Sequence, residues 1–169
     1  PSELDNDLER IMDALTGPGM PFETKPFERF GRTIPAFKNA PPTLAHYFAH
    51  YCNEHKDLPF LVDAGGRLTF GECWAAASHV AAGLVEKHGM KKGDRIGIAA
   101  RNSANWIVAY MGVIMGGGCA TLLNGFWTGE ELAYGVRIAE CSLVLADEER
   151  TRRLEGTDHS ATVVTISHD

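Results

Sequence analysis

In the second half of the chain, short apolar runs alternate with longer stretches of helical period. Residues 94–100 (DRIGIAA), 119–123 (CATLL), 142–146 (SLVLA) and 162–166 (TVVTI) are near-continuously apolar, as strands covered on both faces are. Between them lie helices with legible starts. Thr69-Phe70-Gly71-Glu72 is a capping box opening a helix with Phe70, Cys73, Trp74, Ala77, Ala81 and Leu84 inward, and Gly89 stops it. Asn102 and Ser103 offer caps for an apolar helix over 104–115. Thr128-Gly129-Glu130-Glu131 is a second capping box, for a helix reaching about Glu140, and a short helix spans 148–154. Strands alternating with helices of this length predict β-α-β units joined by right-handed crossovers. The predicted fold class is α/β, a three-layer sandwich around a mainly parallel sheet.

Upstream the pattern changes. Residues 60–63 and 67–70 flank Ala64-Gly65-Gly66 and predict a small β-hairpin. Thr43 is a candidate N-cap for a helix whose face is Leu44, Tyr47, Phe48, Tyr51 and Cys52. Residues 4–15 predict a short amphipathic helix with Leu4, Leu8, Ile11, Met12 and Leu15 on one side. Residues 16–42 hold six of the eight prolines and predict an irregular wrap. The expected division is thus an N-terminal extension, 1–42, and an α/β subdomain, 43–169.

Composition narrows the function classes. A net charge of −6, without a basic stripe, argues against nucleic acid as the partner. Cys52, Cys73, Cys119 and Cys141 lack metal-knuckle or redox spacing, so they read as small buried hydrophobes of a reducing compartment. Residues 106–123 carry no charge, but Gly116-Gly117-Gly118 splits them into helix and strand, arguing against a transmembrane span. Residues 2–13 are acidic and lack the order of a signal peptide, so a cytoplasmic location is expected.

Candidate chemistry is sparse. No G-x-G-x-x-G and no P-loop lysine follows any strand. The glycine triplet joins a helix end to a strand start, the reverse of a phosphate loop, and reads as a C-cap turn. Gly112 and Gly116 would let their helix lie close on the sheet. His46 and His50 have ligand spacing, with Cys52 and His55 nearby, but there is no glutamate in the metalloprotease position and no fourth ligand, so no metal site is assigned. Asp147-Glu148-Glu149 reads as a capped, solvated helix start. Arg150, Arg152 and Arg153 have two readings: a phosphate grip beyond a strand end, or an exposed helix end whose cations offset the local acids.

The ordered set LTFGECW (68–74), His88-Gly89, MKKGDRIGI (90–98), Arg101-Asn102-Ser103, GVIMGGGCATLLN (112–124), TGEEL (128–132) and LVLAD (143–147) resembles the adenylate-forming (AMP-binding) enzymes, of the acyl-CoA synthetase type. The resemblance covers about 59–150, and the N-terminal forty residues resemble bacterial fatty-acid or related acyl-CoA ligases more than adenylation domains of peptide synthetases. It implies that the chain is the first subdomain of a longer AMP-forming ligase. Such an enzyme turns a carboxylic acid, here a fatty or other apolar one, with ATP, Mg2+ and CoA into acyl-CoA, AMP and pyrophosphate.

The family's phosphate loop, magnesium glutamate, ribose aspartate and second lysine have no counterpart in these 169 residues. No catalytic residue is therefore assigned, no cofactor is expected to bind the chain tightly, and the chain alone is expected to be inactive. The resemblance places Gly125, Arg150 and Arg153 near the nucleotide end of CoA. It implies the remainder of the polypeptide as partner, with homo-oligomers forming through surfaces left uncovered. Two rivals stay open: a free-standing doubly wound nucleotide-binding domain, and a non-catalytic truncated paralogue acting as an interaction module.

Overall fold

The computed structural model describes residues 2–167. The chain divides into two compact units, Pro1–Pro42 and Thr43–Asp169. In the first unit, helix α1 (Glu3–Thr16) starts at a Ser2 capping box closed by Asp5. It buries none of its residues.

The irregular wrap expected over 16–42 is instead largely a hairpin of β1 (Thr24–Arg29) and β2 (Arg32–Phe37). Two features reconcile it with the prolines. Phe30 and Gly31 both take positive φ, 50° and 71°, as a tight two-residue hairpin turn requires. Pro26 and Pro35 face each other in register, three pairs back from Arg29↔Arg32. Alternation along the ladder makes that a non-hydrogen-bonded pair, so neither missing N–H is needed. The open end is closed by Lys38 on Glu23, 2.7 Å between side chains.

The second unit is the predicted α/β sandwich. Its helices are α2 (Leu44–Glu54), α3 (Phe70–Glu86), α4 (Ala104–Met115), α5 (Gly129–Ile138) and α6 (Glu148–Leu154). A hairpin of β3 (Pro59–Asp63) and β4 (Gly66–Thr69) precedes α3. Strands β5 (Arg95–Ala99), β6 (Cys119–Leu122), β7 (Leu143–Ala146) and β8 (Thr162–Thr165) form a parallel sheet in the order β6-β5-β7-β8. Every predicted cap is formed: Thr43, Thr69, Ser103, Thr128 and Asp147 each accept a backbone N–H from the first turn of their helix.

Pleat alternation divides the sheet between two cores. Ile96, Ile98, Leu143 and Leu145 pack with Leu84 of α3 and with Ala109 and Val113 of α4. Ala99, Val144 and Ala146 pack with Leu132, Ala133 and Val136 of α5 and Leu154 of α6. A third cluster joins α2, α3 and α4 through Cys52, Cys73, Ala77, Val108 and Met111.

Three expectations need correction here. Gly112 admits α3, not the sheet, since a Cβ there would lie 2.6 Å from the Val80 side chain, whereas one on Gly116 would meet Met90, which packs with the sheet residues Ile96 and Ile98. Of the four cysteines, Cys52, Cys73 and Cys141 are buried but Cys119 is exposed, because it starts the edge strand β6. The aromatic face of α2 is only partly covered, with Tyr47 and Tyr51 still exposed, their rings 4.6 Å apart and tilted by 52°. The glycine triplet is the predicted turn, Gly116 capping α4 and Gly117 taking a φ of 88°.

Candidate functional site

The chain runs from β5 outward to β6, then crosses back to β7 on the other side of β5. The loops following β5 and β7 therefore part in opposite directions, which opens a crevice at the carboxyl ends of the strands. A cavity of about 330 Å³ lies there. Residues 100–102 after β5 and 123–126 after β6 line it, with Trp106 of α4 and Arg150 of α6. A smaller cavity of about 130 Å³ lies beside the β3–β4 turn. Its carboxylate, Asp63, is taken up in capping: it accepts the Ala104 N–H at 2.8 Å and the Gly65 N–H at 2.9 Å.

The wall of the larger cavity is held by two buried charged groups. Asp147 is 1% exposed and Arg150 is 2% exposed. Asp147, the N-cap of α6, accepts the Arg150 backbone N–H at 2.9 Å on one oxygen and the Arg101 N–H at 2.9 Å on the other. The Arg150 guanidinium returns to Asp147 through Nη1 at 3.1 Å, and the same nitrogen donates to Glu149 at 2.9 Å. Its Nε donates to the Gly125 carbonyl at 2.6 Å. Charge-assisted bonds of this kind are the condition for burying an ion pair.

Arg153, about a third exposed, lies beside this group. Its Nη1 donates to the carbonyls of Trp127 at 2.8 Å and Gly125 at 3.3 Å, and its Nη2 pairs with Glu149. Gly125, Arg150 and Arg153, distant in sequence, are thus brought together. Gly125 cannot readily be larger, since a Cβ would sit 3.0 Å from the Ala100 carbonyl.

The reading of these cations as an exposed helix end is overturned for Arg150, because Asp147 draws it inward. The acidic triplet is likewise split: Asp147 is buried, while Glu148 and Glu149 are exposed. Sequence reasoning missed Arg101, Asn102, Trp106 and Asn124 as lining residues. Arg101-Asn102 lies directly beyond a predicted strand end, the one signal that could have placed it here. His46 and His50 lie elsewhere. The Nδ1 of His46 sits 2.7 Å from the Thr43 hydroxyl, and His50 pairs with Glu54 at 3.4 Å. Among the described residues no group of three or more metal-ligating side chains is assembled, and no helix is long and apolar enough to cross a membrane.

Residues 48–169 match the family described as AMP-binding enzyme. The chain is 31% identical over 121 residues to 4-coumarate–CoA ligase 3 of Arabidopsis thaliana, covering 68% of this chain and 21% of that protein. It is 33% identical over 81 residues to a long-chain-fatty-acid–CoA ligase of Bacillus subtilis, covering 48% of this chain and 14% of that one. Among solved structures, a benzoate CoA ligase from Burkholderia xenovorans superposes with a TM-score of 0.67 at 19% identity, over 73% of this chain and 26% of that chain. ATP-bound MatB from Rhodopseudomonas palustris superposes with a TM-score of 0.63 at 28% identity, over 74% and 26%. The chain spans about a fifth of the length of the first of these curated relatives.

Proposed function

Because the chain belongs to the AMP-binding enzyme family, we propose that it is the first subdomain of an AMP-forming carboxylic acid–CoA ligase acting on a fatty or other apolar acid in the cytoplasm. The observation that carries this reading is positional. The matched segment, 48–169, contains the whole carboxyl-end cavity and the loops around it. In the parent reaction the acid and ATP give an acyl-adenylate and pyrophosphate with Mg2+ present, and the acyl group then passes to the CoA thiol. The similarity to a long-chain-fatty-acid–CoA ligase supports the choice of acid.

Within this chain we assign the nucleotide end of CoA to the loop at Gly125 and Phe126 and to Arg153. Two features support the fit. Gly125 and Phe126 line the carboxyl-end cavity, and Arg153 is the less buried of the two guanidiniums. Arg150 enters as the group behind the loop, since it is buried and its Nε holds the Gly125 carbonyl from within. Chemistry of this kind draws its rate from positioned charges, and those of the adenylation step are not among these 169 residues. The chain alone is therefore expected to be inactive. The remaining polypeptide is its partner, covering apolar surface such as Leu122 and Ile138, which are 55% and 67% exposed. Without that cover, self-association is expected.

Acid-dependent ATP–pyrophosphate exchange by the full-length protein tests the reading, with fatty, aromatic and dicarboxylic acids compared. Exchange with fatty acids, followed by acyl-CoA release, is the expected outcome. Exchange with aromatic or dicarboxylic acids alone would remove the apolar acid and leave the ligase. No exchange with any acid would remove both.

A further inference from the structure

The buried pair Asp147–Arg150 touches all three loops that leave the carboxyl ends of β5, β6 and β7. Asp147 holds the Arg101 N–H of the first, Arg150 holds the Gly125 carbonyl of the second, and both belong to the third. These bonds run between residues 25 and 46 positions apart. The sheet's ladder ends where Leu123 and Asp147 donate to the Ile98 and Ala99 carbonyls; beyond it the loops are joined by the pair, with Arg153 adding bonds to the Gly125 and Trp127 carbonyls. Arg150 also supplies a side chain to the cavity wall while being 2% exposed.

We propose that Arg150 is a positioning residue: a clasp that sets the Gly125-Phe126 loop against the cavity and acts on any bound ligand only through that loop. This rests on the ligase reading only for its kinetic consequence. The structural part stands alone. Arg150 has Nε on a carbonyl and Nη1 on two carboxylates, so its charge is spent inside the protein. Arg153 differs, being about a third exposed and bonded to the loop's Gly125 and Trp127 carbonyls and to Glu149.

The test uses the full-length protein, with Arg150→Met, Arg150→Lys and Arg153→Met compared by amide hydrogen exchange and by kinetics with CoA and 3′-dephospho-CoA. Arg150→Lys keeps a cation beside Asp147 but loses the planar fork that reaches Gly125, so it serves where Arg150→Met does not fold. Faster exchange at residues 125–127 is expected in both Arg150 variants, with β5 and β7 protected as before. The KM for CoA and that for dephospho-CoA should rise together, by about tenfold for one charge-assisted bond. The preference for CoA over dephospho-CoA should survive in the Arg150 variants and fall in Arg153→Met. Unchanged exchange at 125–127, or loss of the 3′-phosphate preference on changing Arg150, would overturn the proposal. If the wild-type protein makes no acyl-CoA, the ligase reading fails and the exchange data alone decide the clasp.

Discussion

Helices α1 and α4 announce themselves equally well in the sequence, yet their fates differ. Each has a side-chain cap and a run of apolar residues at helical spacing. On α4, Val108, Ala109, Met111, Gly112 and Val113 are buried. On α1, the apolar side chains from Leu4 to Leu15 are 37–66% exposed. Periodicity states that a helix has an apolar side; it does not state that a partner surface meets it. The same contrast divides the units. Among the described residues, none from 2 to 42 is buried, whereas residues 43–167 contain every core cluster.

The largest effect that would sharpen this contrast is expected at the buried ion pair. Arg150→Met leaves Asp147 in the interior without its cation and should cost about 3–5 kcal/mol in urea denaturation. Arg153→Met, partly exposed, should cost less than about 1 kcal/mol. Equal costs would mean that burial does not separate the two arginines.

Next come two glycines on the α3–α4 pair. Gly112→Ala drives a methyl to 2.6 Å from Val80 and should cost about 1–3 kcal/mol by overpacking. Gly83→Ala meets nothing within 4 Å and should stabilise by about 0.5–1 kcal/mol, since glycine is a poor helix former. Thermal melts of both check the sign reversal.

The pH dependence of the second unit carries a smaller effect. Burial pushes the Cys73 thiol up from 9.0 to about 11, with the nearby Cys52 adding to it. The unfolded chain therefore loses this proton first. The stabilisation is fully present below pH 9 and fades as pH rises through 11, a loss of about 2 kcal/mol at pH 11. Cys73→Ala should flatten that part of the stability–pH curve; an unchanged slope would remove the thiol from the account.

The smallest effect belongs to α1. Ile11→Ser, at a site 55% exposed, should change the unfolding free energy of this chain by no more than about 0.5 kcal/mol. A loss above 2 kcal/mol would show that α1 has a partner, and would break the contrast.

By itself the sequence determined the α/β class, the order of elements in the second unit and all its caps. Those signals are local: a Thr or Ser three residues before a glutamate, an apolar run of five, a glycine after a helix. It also determined the family, through the order of segments from Leu68 to Asp147. Tertiary structure alone decided which sides are covered. The Pro-rich stretch became a hairpin because Pro26 and Pro35 fall opposite each other, a matter of register between strands. Gly112 serves α3 because the two helices meet there. Gly125, Arg150 and Arg153 came as three separate residues with two readings for the arginines. Only the meeting of three loops at the sheet's carboxyl end made one arginine a buried clasp and left its neighbour partly exposed, since burial depends on what lies across from a residue rather than beside it in the chain.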